Sequence, residues 1–342
     1  MNRFQFFFFG IIAILFSGCK TQLPQTNSTV AGTIETALGP EDIVLDTFNG
    51  NERFIISCSA RRKDDPEKGV YYAYNFKTGE CNEIKRYNEP KDFVCNPHGV
   101  DIVSSNNGKI MLYAVNHQKN KNEKTIHSVV QYEVRNDSLI FLNNFTNDLI
   151  VSPNDVAALP NESFYVTNDS KHTKGLGLLF EKLLQTKRST IIFKNAKNEF
   201  LVATKKLPYA NGIAVKNDKV YISCTFKSIL NEYQKMPDGT LNLTKKLSGI
   251  KGMDNITFYK DYLVIASHTD FVKFMKHVKS SENKSPGIVS LFHPEKDTVI
   301  HIYATNGKEI SANSTGLIYK DTLYIAQVFD GFILKVIPER LP

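Results

Sequence analysis

The sequence predicts an all-β protein, a six-bladed β-propeller with one or two short helical insertions on one face. A repeated local pattern and its period predict this fold. A polar cluster, an apolar stretch, a turn and an alternating apolar strand occur together six times, starting at Glu41, His98, Asn154, Asn211, Asp254 and Ser314. The steps between these positions are 57, 56, 57, 43 and 60 residues. Such a period suits propeller blades, each a unit of about 40–60 residues and four strands.

The elements within each unit follow from the same pattern. Alternating apolar residues predict the first two strands of every repeat, and hairpin turn signals separate these strands at 106–108, 160–162, 216–218 and 260–261. Further β-rich runs at 70–76, 128–134 and 288–292 supply outer strands. A large antiparallel sandwich is the alternative. It explains the alternation but not the periodic polar cluster, so the propeller is favoured.

The N-terminus carries an export signal. One positive charge precedes an apolar run at 4–16, and Ser17-Gly18-Cys19 follows, as in a bacterial lipobox. We therefore expect a lipoprotein signal peptide at 1–18, a lipid-attached flexible tether at 19–34 and the propeller at 35–342. Lipidation of Cys19 would anchor the protein to a membrane of the bacterial cell envelope. An ordinary signal peptide, with Cys19 incidental, is the alternative.

Composition excludes some classes of protein. The chain has 342 residues, 42% of them hydrophobic, which is ample for a large core. Its formal charge of +7 is spread over the sequence, so nucleic-acid binding is not implied. The four remaining cysteines, Cys58, Cys81, Cys95 and Cys224, match no zinc pattern. A disulfide from Cys58 to Cys81 or Cys95 and buried free thiols are both compatible with the sequence. Helical spacing at 177–187 and 271–280 predicts insertions that either decorate one face or cover a site.

The polar clusters predict a metal site. In a propeller the innermost strands surround one axis, so residues at the same place in each repeat point into the same tunnel. Carboxylates and amides converging there would be costly without a counter-charge, and calcium accepts six to eight such oxygen ligands. The positions carry Glu41, His98, Asn154, Asn211, Asp254 with Asn255, and Ser314 with Thr315. Asp42 and Asp155 follow one residue later and could hold a second ion or cap blade ends. Taken singly, each residue would more often be a turn or strand-end cap than a ligand, and the metal prediction depends on all six positions occurring in phase.

Eight segments in the same order resemble the paraoxonase/arylesterase family, within the gluconolactonase-like superfamily of six-bladed propellers. The similarity extends from about 38 to 337, and each motif is weak alone, whereas eight in order are specific. The matching segments are 39–42, 96–100, 115–117, 153–156, 165–169, 210–213, 253–256 and 303–307.

The resemblance implies roles for individual residues and two calcium ions. It implies a catalytic calcium held by Glu41, Asn154, Asn211, Asp254 and Asn255, and a deeper structural calcium held by Asp42, Asp155 and the backbone carbonyl of Val100. It further implies that His98 is the general base with His117 as its partner, and that His268 and Asp169 line the substrate pocket. Familiar members have a histidine after the aspartate, where this chain has Ser170, so the substrate preference is open. The family's disulfide joining the propeller ends is absent, because no cysteine follows Cys224, and closure must rely on strand pairing between the termini.

These residues predict a calcium-dependent hydrolase of lactones or aryl esters. No Gly-x-Ser-x-Gly elbow is present, so water is the expected nucleophile, activated by His98 and His117 while the metal polarises the carbonyl. A small-molecule lactone or ester is then the expected partner. One alternative is a non-catalytic envelope propeller that binds a ligand or partner protein and has structural calcium only. A sugar lactonase or a strictosidine-synthase-like condensing enzyme is a further alternative, and the intact set of oxygen ligands argues against the latter.

Overall fold

The structure is a computed structural model, which describes residues 22–62, 65, 68–119, 125–172, 177, 181 and 184–342. The predicted signal peptide at 1–18 and Cys19 lie outside the described residues. So do 178–180, 182 and 183 of the first predicted helical stretch. None of the described helices is long and apolar enough to cross a membrane.

Six antiparallel sheets form a β-propeller, which confirms the predicted fold class. The first three blades are built, from the inside outwards, by β2 (Pro40–Asp46), β3 (Arg53–Cys58), β4 (Val70–Asn75) and β5 (Cys81–Glu83); by β7 (Pro97–Ser104), β8 (Ile110–Lys119), β9 (Thr125–Val134), β10 (Ser138–Phe145) and the short parallel strand β6 (Lys85–Tyr87); and by β11 (Pro153–Ala158), β12 (Phe164–Asn168), β13 (Ser189–Lys194) and β14 (Phe200–Leu207).

The last three blades repeat this order. They consist of β15 (Ala210–Lys216), β16 (Lys219–Cys224), β17 (Ile229–Lys235) and β18 (Leu241–Ser248); of β19 (Met253–Tyr259), β20 (Tyr262–His268), β21 (Gly287–His293) and β22 (Thr298–Thr305); and of β23 (Asn313–Tyr319), β24 (Thr322–Gln327), β25 (Phe332–Pro338) and β1 (Ser28–Glu35).

The two ends of the described chain close the disc. β1 pairs antiparallel with β25, with Ser28 opposite Pro338 and Glu35 opposite Phe332. Closure by strand pairing between the termini is therefore confirmed. The predicted boundary at residue 34 is wrong for 28–34, because these residues form the outermost strand of the sixth blade instead of a flexible tether.

Apolar packing between neighbouring blades holds the disc together. Each of the six larger buried clusters draws residues from two adjacent blades; for example, Ile55 of β3 and Leu112 of β8 share one, and Phe54 of β3 and Ile333 of β25 share another. Both faces of every sheet are thus buried against a neighbour, as burial of apolar surface requires. The innermost strands contact one another in a closed ring, so residues at their starts share one end of the axis.

One helix, α1 (Phe271–Lys279), lies between β20 and β21, close to the predicted 271–280. Asp270 caps it by accepting a hydrogen bond from the backbone N–H of Lys273 at 3.0 Å. All four described cysteines are free, so the alternative of a disulfide from Cys58 is wrong.

Candidate metal and acid–base site

Every inner strand has the same irregularity at its start. The register of each one shifts against the second strand of its blade over the first three or four residues, where the polar motif lies. Such a bulge turns side chains away from the ordinary pleat. The shifts fall between Pro40 and Asp42, Pro97 and Val100, Pro153 and Val156, Ala210 and Ile213, Met253 and Ile256, and Asn313 and Gly316.

Hydroxyl groups hold these bulges in place from one blade to the next. Ser57 Oγ donates to the carbonyl oxygen of His98 at 2.6 Å. Ser223 Oγ of the fourth blade donates to the carbonyl oxygen of Asp254 at 2.6 Å. Thr167 makes the equivalent bond between the third and fourth blades. A buried hydroxyl therefore fixes the backbone at His98, Asn211 and Asp254.

Two glycines bring successive inner strands unusually close. A Cβ atom on Gly99 would lie 2.6 Å from the Cα atom of Asp155, and one on Gly212 would lie 2.7 Å from the Cα atom of Asn255. Only glycine permits this approach, because a Cβ atom would clash with the neighbouring strand. The inner strands therefore lie close together beside Asp155 and Asn255, which are two predicted ligands.

The five side chains predicted to hold the first calcium, which we call the ring, are all buried at one end of the axis. Asn211 is 5% exposed, and its Nδ2 donates to Thr225 Oγ1 at 3.1 Å, while the Nδ2 of Asn255 donates to Thr315 Oγ1 at 2.9 Å. Their Oδ1 atoms have no partner among the described residues, and neither does that of Asn154. Buried amide oxygens without partners are costly. The ring consists of Glu41, Asn154, Asn211, Asp254 and Asn255.

Glu41 has an arginine and a histidine as neighbours. Arg61 Nη2 forms an ion pair with one carboxylate oxygen, and His98 Nε2 lies 2.7 Å from the other. Burial alone would raise the pKa of Glu41, but Arg61 and His98 outweigh burial, and the pKa lies below its ordinary value. Glu41 is therefore an ionised carboxylate at neutral pH.

Asp254 has a histidine partner of its own. His268 Nε2 lies 2.7 Å from Asp254 Oδ2, and both residues are buried. The His268 ring packs 4.4 Å from the ring of Phe274, centroid to centroid. Because Phe274 belongs to α1, that helix covers part of the face on which the five predicted calcium ligands lie.

Three histidines form a row that starts at the ring. His98 Nδ1 lies 3.0 Å from His117 Nε2, and His117 Nδ1 lies 2.8 Å from His127 Nδ1. His117 and His127 are directly opposite each other on β8 and β9. Burial lowers the pKa of His117 well below its ordinary value, and the neighbouring His98 and His127 lower it further. Burial also lowers the pKa of His127, against the charge of Asp169, which raises it.

Asp169 faces His127 and is held by hydroxyl groups. Ser152 Oγ and Ser170 Oγ both donate to Asp169 Oδ1. Burial raises the pKa of Tyr209 well above its ordinary value, and the charge and hydrogen bond of Asp169 raise it further. The Tyr209 hydroxyl therefore stays protonated and donates to this carboxylate.

Asp42, Asp155 and Val100, which we call the deep site, lie further along the inner strands and line a cavity of about 270 Å³. Asp42 Oδ2 accepts the amide N–H of Val100 at 2.8 Å, and Asp155 Oδ2 accepts that of Ile213 at 2.8 Å. The contact seen at Val100 is thus through its amide, whereas the resemblance implies its carbonyl oxygen. Burial raises the pKa of Asp42 to about 8, although the bond from Val100 opposes this. Burial raises the pKa of Asp155 well above its ordinary value, and the charge of Asp42 adds to the effect.

The donor atoms of both places suit calcium. The ring offers two buried carboxylates and three unpartnered amide oxygens, all hard oxygen donors. The deep site holds two buried carboxyls that disfavour ionisation without a cation. In the described residues no three histidine, cysteine, aspartate or glutamate side chains gather as a metal site, since amides make up most of the ring.

Sequence reasoning missed several residues of the site. Arg61 follows β3 outside any repeat, and no sequence signal marked it. No sequence signal marked His127, because its place opposite His117 depends on the register of β8 and β9. Tyr209 directly precedes the Ala210-Asn211 motif, which was the available signal.

Fold and site together define a class of protein: a six-bladed propeller with a buried oxygen-donor ring and a histidine row at one end of its axis. The fold agrees with solved structures. A luciferin-regenerating enzyme superposes with a TM-score of 0.60 at 10% identity, covering 92% of this chain and 96% of that one. A gluconolactonase from Xanthomonas campestris gives 0.52 at 11% identity, covering 92% and 100%.

Sequence similarity specifies the family. The Arylesterase family model matches residues 63–334. Human serum paraoxonase/lactonase 3 is 26% identical over 239 residues, covering 68% of this chain and 66% of the relative, slightly less than two thirds of its length. The chain belongs to the arylesterase family, as its motifs predicted.

Proposed function

We propose that this protein is a calcium-dependent hydrolase of lactones or aryl esters. One observation carries the proposal: three buried amide oxygens, without partners among the described residues, lie in phase with two buried carboxylates, beside a histidine pair. Membership of the arylesterase family and the printed names of its relatives, paraoxonase/lactonase and paraoxonase/arylesterase, support the same chemistry.

Glu41, Asn154, Asn211, Asp254 and Asn255 would hold the catalytic ion. A calcium ion bound there supplies a Lewis acid that polarises an ester carbonyl. The chain's own residues do the remaining work. The deep site would hold a second, structural ion between the first and third blades, with Asp42 on β2 and Asp155 on β11.

His98 is the residue placed to handle protons, because its Nε2 faces Glu41 of the ring. Arg61 only donates hydrogen bonds, and its Nη1 lies 3.0 Å from His98 Nδ1. Nδ1 therefore accepts, and the His98 proton sits on Nε2. To accept a proton from water at Nε2, His98 must adopt the other tautomer, with Nδ1–H donating to His117. Arg61 disfavours that tautomer, so it must leave Nδ1 before His98 acts as a base.

Aromatic rings bound the space over the site and suit an apolar acyl or aryl group. Tyr209 packs against Phe226 at 4.8 Å, and Phe226 packs against Phe271 of α1 at 5.6 Å. His268 and Asp169 lie on the same face and would line the substrate pocket. A purely binding propeller would not need the histidine row, so hydrolysis is favoured.

Hydrolysis of phenyl acetate and δ-valerolactone, with calcium and after chelation, tests the proposal. Activity should disappear on chelation and return with calcium. Asn211→Ala should lower kcat/KM about 100-fold, because it removes a ligand oxygen. Asn231→Ala is the matched control: Asn231 is 5% exposed like Asn211, lies in the same blade on β17, and also has an Oδ1 without a partner among the described residues. Equal losses in both variants, or activity untouched by chelation, would contradict the proposal.

We also propose that Cys19 is lipidated and holds the protein at the bacterial cell envelope. The lipobox-like Ser17-Gly18-Cys19 supports this, and β1 begins at Ser28, which leaves a short polar spacer after Cys19. The mass of the membrane-extracted protein tests it, since the mature chain should begin at an acylated Cys19.

A further inference from the structure

His127 is a partly buried histidine that the proposed mechanism does not use. It stands opposite His117 across the β8–β9 pair, and the two rings meet edge to face, with 5.0 Å between centroids. The His98 and His117 rings meet in the same way, also at 5.0 Å. The row therefore continues one residue beyond the predicted pair, with the same geometry at each step.

The contacts of His98, at one end of the row, determine which nitrogen of each histidine carries a proton. Arg61 can only donate to His98 Nδ1, and the Glu41 carboxylate can only accept from His98 Nε2. His98 Nδ1 is thus an acceptor, and His117 Nε2 must carry the proton that bonds it. His117 is neutral, because burial keeps its pKa low, so its Nδ1 has no proton. The 2.8 Å contact between the two Nδ1 atoms then requires His127 to donate.

The three histidines can also adopt the reverse alignment once Arg61 has left His98 Nδ1. When His98 carries its proton on Nδ1 and donates to His117 Nε2, His117 carries its proton on Nδ1 and donates to His127 Nδ1. His127 then holds its own proton on Nε2. Each imidazole keeps one N–H proton, so no charge is created. His98 Nε2 becomes free to accept a proton from water. Only a group that can both donate and accept at the position of His127 Nδ1 supports both alignments.

We propose that His127 is a positioning residue that holds His117 against His98 in either tautomer, a role that rests on the proposed hydrolase function. His127 touches no ring residue and acts through His117. The other titratable groups that face it are His98, along the row, and Asp169, whose carboxylate is held by Ser152 and Ser170. The Asp169 charge favours a proton on the side of His127 that faces it.

Two variants separate the hydrogen bond between His127 and His117 from the volume of the His127 imidazole. His127→Leu fills similar space and has no polar atom, whereas His127→Asn keeps a group that donates or accepts where Nδ1 lies. In phenyl acetate hydrolysis with calcium, His127→Leu should lower kcat about tenfold with KM changed less than about twofold. His127→Asn should stay within about twofold of the wild type. His301→Leu is the control, since His301 lies on β22 and bonds only Ser290 among the described residues.

Wild-type kcat in His127→Leu, or an equal loss in His127→Asn, would overturn the proposal. Histidine-¹⁵N NMR keeps it separate from the proposed function. The His117 nitrogen shifts should move in His127→Leu and stay close to wild type in His127→Asn. If the wild type hydrolyses neither phenyl acetate nor δ-valerolactone, the hydrolase proposal fails and the kinetic role of His127 with it. The NMR comparison then decides the hydrogen bond alone, and unchanged shifts in His127→Leu would overturn that as well.

Discussion

The ring and the deep site share β2 and β11, where their ligands are consecutive residues, yet they differ in how their oxygens are used. In the ring the amide oxygens of Asn154, Asn211 and Asn255 have no described partner. In the deep site the carboxylates of Asp42 and Asp155 accept backbone N–H groups from the next blades. The ring thus offers free ligand atoms, whereas the deep site joins neighbouring blades.

Their electrostatics differ in the same sense. Arg61 and His98 keep the pKa of Glu41 low in spite of burial, whereas burial raises the pKa of Asp42 to about 8. Glu41 is already ionised and lies beside polar side chains, so it can take part in binding a substrate. A buried carboxyl fixed by backbone bonds can only stabilise the fold. Consecutive residues such as Glu41 and Asp42 therefore have different roles: the first belongs to the ring, and the second stabilises the fold.

The largest expected effect separates activity from stability. Asp254→Asn should lower kcat about 100-fold or more with a small change in melting temperature, because it weakens the ring. Asp155→Asn should lower the melting temperature and the gain that calcium gives it, while kcat well below melting falls less than about tenfold. Steady-state kinetics and thermal unfolding of both variants check this. Equal loss of activity in the two folded variants would remove the distinction between ring and deep site.

The pH dependence of stability comes next. The pKa of Asp42 is raised from about 4 in the unfolded chain to about 8, so its contribution to stability is full below pH 4 and lost as pH rises through 8. In chelator, the free energy of unfolding should fall between pH 5 and 8 by at most about 1.4 kcal/mol per pH unit for this carboxyl.

A comparison with Asp42→Asn isolates this slope. The lowered pKa values of His117 and His127 act in the opposite direction, since their unfolded forms bind protons that the folded forms refuse below about pH 6.5. Urea unfolding across the pH range should show a flatter decline in the variant than in the wild type. Parallel curves for the two proteins would show that Asp42 is ionised in the cation-free fold.

The smallest expected effect concerns Arg61, whose guanidinium competes with calcium for Glu41. Arg61→Met should tighten the calcium Kd about threefold to tenfold at low salt, as measured by calorimetry. Arg62→Met is the control, because the Arg62 guanidinium pairs with Asp330 and lies over Phe329. An unchanged or weaker affinity in Arg61→Met would show that Arg61 does not oppose the ion.

Local pattern predicted the inner strands well, because each repeat carries its polar motif and its alternation within a few residues. The first strand was missed for a different reason. Ser28–Glu35 reads as a polar tail, and it becomes a strand only by pairing with Phe332–Pro338, about 300 residues later. Neither segment contains a signal for the other.

The acid–base row shows the same limit. His98 and His117 lie in motifs and were predicted, whereas His127 joins them through the register of a hairpin whose loop length the sequence does not specify. Arg61 and Glu41 belong to the same blade, but Arg61 reaches His98 only because the first and second blades meet at the axis. Contacts of this kind depend on how blades pack.

By itself the sequence determined the number of blades, the family and the oxygen-rich positions at the strand starts, because hydrophobic period and residue chemistry are local properties. The tertiary structure alone decided which oxygens stay free, which carboxyls bond to backbone amides, and which cation faces Glu41. Those outcomes depend on distances between residues remote in the chain, and on burial, which sets the cost of leaving a charge or an amide oxygen without a partner.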